Sequence, residues 1–261
     1  MPRANRHFLP GRLWHITHRC HEKAFLLKFA RDRRAYLHWL FEARKRFGLC
    51  LLNYAVTSNH IHLLVKDGGG EVIARSMQLI AGRMGQEYNQ RKNRQGAYWE
   101  DRYHATAVEG DEHLRRCLVY IDLNMVRAGV VKHPAEWAHG GYREIQNPPQ
   151  RRRLVELDEL ARQCGFASIE HFQRAHRQWV AEELALDRSR RDARWSEAIA
   201  VGSRAFVEEI QRELALKAKY RDVDETDAEG TCALREPASA YTGSFAPENG
   251  ALRTKNAVFW R

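Results

Sequence analysis

The chain has 261 residues, which is enough for one medium domain with extensions or for two small domains. Hydrophobic residues make up 44% and charged residues 29%, a balance typical of soluble proteins. No apolar run approaches the ~18 residues that a membrane-spanning helix needs. Residues 1–150 hold 24 Lys and Arg against 14 Asp and Glu, so the entire net charge of +10 lies there. A localised positive excess favours a partner with a phosphate backbone.

Apolar periodicity and turn residues define the predicted elements. In chain order they are a strand at 13–20, a helix at about 28–47, a hairpin of strands at 49–57 and 60–65, a helix at 71–91, a strand at 97–108 and a helix from 111 to just before Gly129. The first six follow the order β-α-β-β-α-β. This order predicts an α+β fold with a ferredoxin-like antiparallel sheet, against which the last helix packs.

A domain boundary is predicted at Pro148 and Pro149. Residues 1–147 would form the main domain. Residues 148–220 contain amphipathic stretches and predict a helical extension. Residues 221–261 are polar and lack a pattern, so we expect a largely disordered tail.

Cysteine usage indicates a reducing compartment. The five cysteines are far apart and form no C-x-x-C pair, so we expect free thiols. The basic N-terminus lacks the apolar segment of a secretory signal. Both features predict a cytoplasmic protein.

Two histidines alternate with Ile61 in the second hairpin strand. Side chains two apart on a strand point to the same face, so His60 and His62 can chelate one metal ion. The spacing by itself is more typical of two polar residues on a solvated sheet face.

Tyr120 and Asn124 lie four residues apart on the last predicted helix, so they share one face. Their stripe borders the apolar residues Leu114, Leu118 and Ile121. The helix by itself is compatible with an ordinary tyrosine at the boundary of the core.

Several motifs occur together in the predicted order. They are WHITHR in the first strand, NHIHLLV, the strand AYWEDRYHA, Y-x-x-x-N followed by VRAGVV, and EWAHGGYRE. With these motifs, residues 12–143 resemble the HUH tyrosine transposases of the IS200/IS605 type, and most of all the REP-associated branch. The resemblance covers about half of the chain.

The resemblance implies a metal-dependent single-strand DNA endonuclease and strand transferase. Tyr120 would be the nucleophile and form a 5′-phosphotyrosine, while His60, His62 and Asn124 would hold Mg²⁺ or Mn²⁺. The substrate would be single-stranded DNA beside a hairpin of a REP-like palindrome. The chain would act as a monomer or a homodimer. No ATP site is expected, because Gly68–Gly70 lacks the Lys-Ser/Thr of a phosphate-binding loop.

Single-strand binding generally combines basic side chains with aromatic platforms. The candidate aromatic residues are Tyr98, Trp99 and Tyr103. Arg116 would also favour the tyrosine phenolate, since a phenol ordinarily has a pKa of about 10. The candidate basic residues are Arg19, Lys23, Arg83, Arg91, Lys92, Arg94, Arg102 and Arg116.

Two other functions remain open at this stage. One is a non-catalytic DNA- or RNA-binding regulator on the same scaffold. The other is a metal-dependent phosphoesterase that uses water, in which Tyr120 would have no chemical role. The complete set of His60, His62, Tyr120 and Asn124 favours the transposase-like enzyme.

Overall fold

The computed structural model describes Leu9 and residues 11–186, 192–214, 222–225 and 230–235. The first seven elements are β1 (Leu13–Arg19), α1 (Ala30–Phe47), β2 (Cys50–Val56), β3 (His60–Lys66), α2 (Val72–Lys92), β4 (His104–Val108) and α3 (Asp111–Asp122). Strands β2, β3, β1 and β4 lie in this order and pair antiparallel. This is the order of a ferredoxin-like sheet, and the predicted α+β fold class is confirmed.

The remaining elements extend both the sheet and the helical layers. They are α4 (Asn124–Arg127), α5 (Tyr142–Gln146), α6 (Leu157–Gln163), α7 (Ile169–Ala185), α8 (Arg194–Glu197), β5 (Ala200–Gly202), α9 (Arg204–Leu214), β6 (Asp222–Glu225) and β7 (Cys232–Arg235). Over the described residues the sheet has seven strands in the order β2-β3-β1-β4-β5-β7-β6.

The pairing register assigns residues to the two faces of the sheet. His62 pairs with Thr17, and Leu64 with His15, so these four side chains share one face. This face carries α3, which contacts β2, β3 and β4. The residues that alternate with them, such as Ile16 in β1 and Ile61 and Leu63 in β3, point to the opposite face, which carries α1 and α2. The candidate metal ligands therefore face the helix that bears Tyr120.

Local signals explain where the long elements end. Helix α1 ends at Gly48, whose φ of 72° is the left-handed conformation that glycine adopts without strain. The Gly48 N–H donates to the Arg44 carbonyl and caps the helix. The chain therefore turns directly into β2, as the sequence predicts.

Two predicted elements differ in extent. The predicted strand 97–108 begins at His104, and Trp99 makes only an isolated bridge to Cys20. The reason is a side-chain contact: the Trp99 ring stacks on His18 at 3.9 Å and its Nε1 donates to the Ala81 carbonyl. The predicted helix from 111 is divided at Leu123, where ψ is 3°.

Two glycines bring the segment after α4 against the edge of the sheet. Gly140 forms an isolated bridge with Ala55, and the Gly141 N–H donates to the Tyr54 carbonyl. A Cβ on Gly141 would lie 2.2 Å from Asn53 Oδ1, so only glycine allows this approach. The GGYRE motif therefore covers β2 and begins α5.

The extension contains strands as well as the predicted helices α6, α7 and α9. Strand β5 pairs in parallel with β4, and β7 lies between β5 and β6. A three-residue strand is too short to show periodicity, so the sequence does not reveal β5. Within the segment expected to be a disordered tail, the described residues include β6 and β7, and the expectation for the tail as a whole stays a prediction. The remainder of the tail lies outside the described residues.

The extension shares its core with the first domain. Leu154, Leu160, Phe172 and Val201 belong to the same buried cluster as Ile16 of β1. The boundary predicted at residue 147 stays a prediction. The five cysteines form no disulfide, as predicted. None of the helices among the described residues is long and apolar enough to cross a membrane.

Candidate active site

A cleft of about 480 Å³ opens where β1, β3 and β4 face α3 and α4. It brings together the four residues that the sequence singled out for chemistry: His60, His62, Tyr120 and Asn124. The other lining residues are Thr17, His18, Arg19, Glu100, Asp101, Arg102, His104, Arg127, Ala128, Ser196 and Glu197.

His60 has a defined protonation pattern at the mouth of the cleft. Its Nδ1 lies 2.8 Å from Asn59 Oδ1 and 3.0 Å from Thr57 Oγ1. An amide oxygen only accepts, so Nδ1 carries the proton. In the neutral ring, Nε2 therefore carries the lone pair.

His62 is buried next to Asn124. The Asn124 amide nitrogen lies 2.9 Å from His62 Nε2, and the rings of His60 and His62 have centroids 4.9 Å apart. An amide N–H can only donate, so His62 Nε2 accepts and carries its lone pair toward Asn124. Nearby imidazole lone pairs beside an amide fit a divalent cation.

The donor set is small. Among the described residues, no group of three or more His, Cys, Asp or Glu could hold a metal ion. A site at this place therefore depends on Asn124 in addition to the two histidines, and the Asn124 amide would have to turn so that its oxygen replaces the nitrogen that faces His62. Open coordination positions would remain for phosphate and water.

Tyr120 lies at the C-terminal end of α3 with 8% of its surface exposed. Its ring centroid is 5.9 Å from that of His62 and 6.0 Å from that of His15. The candidate nucleophile and the histidine pair are therefore adjacent, although they come from different elements.

Arg127 is a cation in contact with Tyr120. Its guanidinium carbon lies 4.2 Å from the ring centroid, and Nη2 donates to the Tyr120 carbonyl. Burial lowers the pKa of Arg127, while the charges of Tyr120 and nearby carboxylates oppose this shift. An arginine remains protonated, so the cation persists beside the phenol. Arg127 follows Tyr120 by seven residues, a spacing that puts two helical residues on the same face, and this spacing was the available sequence signal.

The extension supplies one wall of the cleft through Ser196 and Glu197. This segment is fastened to the sheet through backbone carbonyls. The Trp195 carbonyl lies 2.6 Å from His15 Nδ1, and the Ala198 carbonyl accepts from Thr106 Oγ1 at 2.6 Å. Burial lowers the pKa of His15 to about 3, so this ring is neutral. Sequence reasoning missed these contacts because backbone carbonyls carry no residue-type signal.

The predicted basic residues separate into two groups. Arg19 and Arg102 line the cleft, and Lys23 is exposed beside it, where its carbonyl accepts from Asn59. The members of the second group do not line the cleft; they are Arg83, Arg91, Lys92, Arg94 and Arg116. That any of these residues binds nucleic acid stays a prediction.

The residues away from the cleft have contacts within the protein. Arg91 pairs with the buried Asp32, and Arg94 donates to the Ala97 carbonyl. Arg116 contacts Glu112 at 3.1 Å and Thr231 at 3.0 Å. That Arg116 favours the Tyr120 phenolate stays a prediction, and Arg127 is a second cation that lies against the Tyr120 ring.

The predicted aromatic platforms are largely unsuitable for stacking with bases. Tyr98 and Tyr103 are only 4% and 7% exposed. Trp99 is half-buried and already stacks on His18. The exposed aromatic rings near this end of the sheet are instead Phe25 and Phe29, at 64% and 57%.

The fold and cleft together place a histidine pair on a central strand opposite a helix-borne tyrosine. Residues 12–124 match the family model described as IS200-like transposase. This stretch begins in front of β1 and ends at Asn124, so it includes all four chemical residues. Over this stretch, somewhat less than half of the chain, the protein is similar to IS200-like transposases.

Two solved structures are similar in fold. One is a REP-associated tyrosine transposase bound to a REP hairpin, with 17% identity over 59% of this chain and 90% of that chain, and a TM-score of 0.48. The other was solved as a candidate transposase of Deinococcus radiodurans R1, with 15% identity over 49% of this chain and 97% of that chain, and a TM-score of 0.34. No curated protein matches the sequence. Scores and identities this low do not support a functional assignment by themselves.

Proposed function

We propose that this protein is a tyrosine transposase: a metal-dependent single-strand DNA endonuclease and strand transferase that acts beside DNA hairpins through a 5′-phosphotyrosine on Tyr120. The observation that carries the proposal is the convergence of Tyr120, His60, His62 and Asn124 on one cleft. The family match to residues 12–124 supports the reaction class.

His60, His62 and Asn124 would hold Mg²⁺ or Mn²⁺. The two Nε2 lone pairs fit Mn²⁺ better, because Mg²⁺ prefers shells made of oxygen. When bound, the ion would withdraw charge from the scissile phosphate.

Tyr120 supplies the nucleophile. A bond forms between its Oη and phosphorus while the bond from phosphorus to O3′ breaks; the phenol loses its proton to solvent and O3′ gains one. The downstream DNA fragment is then joined to Tyr120 through its 5′-phosphate, and the upstream fragment ends in a free 3′-OH. One phosphodiester replaces another, so rejoining to a different 3′-OH requires no ATP. Arg127, against the Tyr120 ring, favours the developing phenolate.

The cleft favours a single strand. A phosphate must enter between Tyr120 and the histidines. The ring centroids of Tyr120 and His62 are only 5.9 Å apart. A flexible strand can rotate its phosphate into such a gap, and Arg19 and Arg102 are placed to contact its backbone. A duplex would have to be unwound at a cost of about 1.4 kcal/mol per base-pair step. The choice of hairpin-flanked sites rests on the resemblance to the REP-associated branch.

The experiment is an adduct assay. The full chain is incubated with Mn²⁺ and a 5′-labelled or 3′-labelled hairpin oligonucleotide that carries a single-stranded flank, and the products are separated under denaturing conditions. We expect a covalent protein–DNA adduct that keeps the 3′ label. Tyr120→Phe removes only the hydroxyl, so it should form no adduct and still bind the DNA.

The same assay separates the alternatives. Binding of DNA without cleavage by the wild-type chain would favour a non-catalytic regulator. Cleavage by Tyr120→Phe at the wild-type rate would favour a phosphoesterase that uses water. Equal cleavage of the single strand and of its perfect duplex would contradict the proposed substrate.

A further inference from the structure

A chain of three hydrogen bonds joins the Trp195 carbonyl, His15 and the candidate metal ligands His62 and Asn124. His15 of β1 is fully buried, with Nδ1 2.6 Å from the Trp195 carbonyl oxygen and Nε2 2.9 Å from His62 Nδ1. The two imidazole rings stack with centroids 5.1 Å apart and planes within 11°. On its far side, His62 meets the Asn124 amide through Nε2.

The position of each proton follows from the first partner. A carbonyl oxygen has no hydrogen and only accepts, so His15 Nδ1 must donate to it. The other nitrogen of the neutral His15 ring then accepts, and His62 Nδ1 must donate to it. His62 Nε2 is left with its lone pair on the side of Asn124. Each ring has one orientation and one tautomer in this chain.

We propose that His15 is a positioning residue that fixes His62 as the Nδ1–H tautomer and so directs the Nε2 lone pair toward the metal site. The metal part of this inference rests on the proposed function. Metal-binding histidines generally donate their second N–H to a partner that sets tautomer and ring orientation. Here that partner is itself a histidine, anchored on a backbone carbonyl of the extension.

A purely space-filling role for His15 predicts a different outcome. Phenylalanine fills nearly the same volume but has no ring nitrogen, so His15→Phe preserves packing and removes the chain of hydrogen bonds. Glutamine can restore the chain, because its amide N–H can donate to Trp195 while its oxygen accepts from His62. The two variants therefore separate packing from proton placement.

The first measurement needs neither metal nor DNA. ¹⁵N NMR of the metal-free full chain distinguishes protonated from unprotonated ring nitrogens, and the signals of His62 are assigned by their loss in His62→Ala. We expect the Nδ1–H tautomer in the wild type and in His15→Gln. We expect a mixture, or mainly Nε2–H, in His15→Phe.

The second measurement is Mn²⁺ affinity by calorimetry. Loss of such a partner typically costs 10- to 100-fold in metal affinity. We expect a loss of about this size in His15→Phe, near-wild-type affinity in His15→Gln, and no change in His171→Gln, which alters an exposed histidine on α7. Folding of each variant is checked by circular dichroism.

A predominant Nε2–H tautomer in the wild type would overturn the inference. So would a folded His15→Phe variant with the wild-type tautomer and Mn²⁺ affinity. If His15→Phe does not fold, the His62 tautomer of the wild type and the tautomer and Mn²⁺ affinity of His15→Gln still test the inference. A chain that shows the expected tautomer but forms no DNA adduct would contradict the proposed function and leave this inference standing.

Discussion

Arg127 holds the candidate nucleophile from two directions: its guanidinium lies 4.2 Å from the Tyr120 ring centroid, and it also donates to the Tyr120 backbone carbonyl. The break at Leu123 places the two residues in consecutive helices, α3 and α4. Ring and backbone are therefore fixed together beside the cleft.

We expect Arg127→Met to slow adduct formation by about tenfold or more, because a loss of 1.4 kcal/mol in transition-state stabilisation has that effect. Arg127→Lys should recover part of the rate, since it restores the charge without the planar group. Single-turnover rates at fixed pH and salt give the comparison. A wild-type rate in Arg127→Met would show that the cation has no part in the reaction.

The histidine pair predicts a specific loss of metal binding. His60→Ala and His62→Ala should each reduce Mn²⁺ affinity by more than tenfold and abolish adduct formation, as should EDTA with the wild type. His171→Ala is the matched control, because that histidine is exposed on α7. Undiminished Mn²⁺ affinity in either cleft variant would place the metal elsewhere.

Phe25 and Phe29 are expected to stack with bases of the bound strand. Both rings are exposed, and the loop that carries them is joined to the turn before His60, where the Leu27 N–H donates to the Ser58 carbonyl. Lys28 and Lys92 lie within 6.0 Å of the Phe29 ring, which adds positive charge.

Replacing both phenylalanines by alanine should weaken single-strand binding by about thirtyfold or more, since stacking contributes roughly 1–3 kcal/mol per base and two rings are removed. Leu186→Ala, at a residue of similar exposure, serves as the control. Fluorescence anisotropy with a labelled oligonucleotide at constant salt measures the effect. Unchanged affinity in the double variant would show that Phe25 and Phe29 do not stack with bases of the bound strand.

The extension is predicted to stabilise α3 through a buried pair. His176 Nε2 of α7 donates to Asp122 Oδ2 at 2.7 Å, Asn53 donates to the other oxygen at 3.0 Å, and Gln146 donates to His176 Nδ1 at 2.9 Å. Both side chains of the pair are at most 1% exposed.

His176→Leu should lower the free energy of unfolding by about 3 kcal/mol, because it leaves a buried carboxylate without one of its donors. His171→Ala, one and a half turns earlier on the outer side of α7, should change it by less than about 0.5 kcal/mol. Urea unfolding curves provide both values. Equal stability of the two variants would mean that the pair is dispensable.

Stability should fall in acid partly through His139. Burial, and then the charges of Arg33 and Arg34, lower the pKa of His139 to about 4 in the folded chain. Between pH 6.5 and about 4, the unfolded chain binds a proton that the folded chain does not, so unfolding becomes easier as the pH falls. His139→Gln should therefore reduce the number of protons taken up on unfolding in this pH range by up to one, which urea unfolding at several pH values measures. Identical pH profiles of the two proteins would contradict the expectation.

Local spacing predicted which candidate residues share a face, whereas their proposed chemical roles came from the resemblance of the combined motifs. His60 and His62 alternate on a strand, and Tyr120 and Asn124 lie one helical turn apart, so each pair shares a face whatever the tertiary structure. The long periodic elements α1, β3 and α7 were predictable for the same reason.

What the sequence could not show depends on distant contacts. Trp99 leaves the predicted strand because His18 and Ala81 hold its ring, and Tyr98, a candidate stacking platform, is buried. Strand β5 exists because β4 offers it an edge. The Trp195 carbonyl meets His15 across 180 residues of sequence. No local pattern encodes such pairings.

The link between His15 and Trp195 also sets an order in time. A ribosome adds roughly 5–20 residues per second, so Trp195 is made about 10 to 40 seconds after His15. Until then, the carbonyl that fixes the two imidazole protons does not exist, and neither does the wall formed by Ser196 and Glu197. A nascent chain that already contains the histidine pair and Tyr120 would therefore lack an assembled cleft. If the proposed function holds, synthesis from the N-terminus would therefore delay DNA cleavage until the extension has docked.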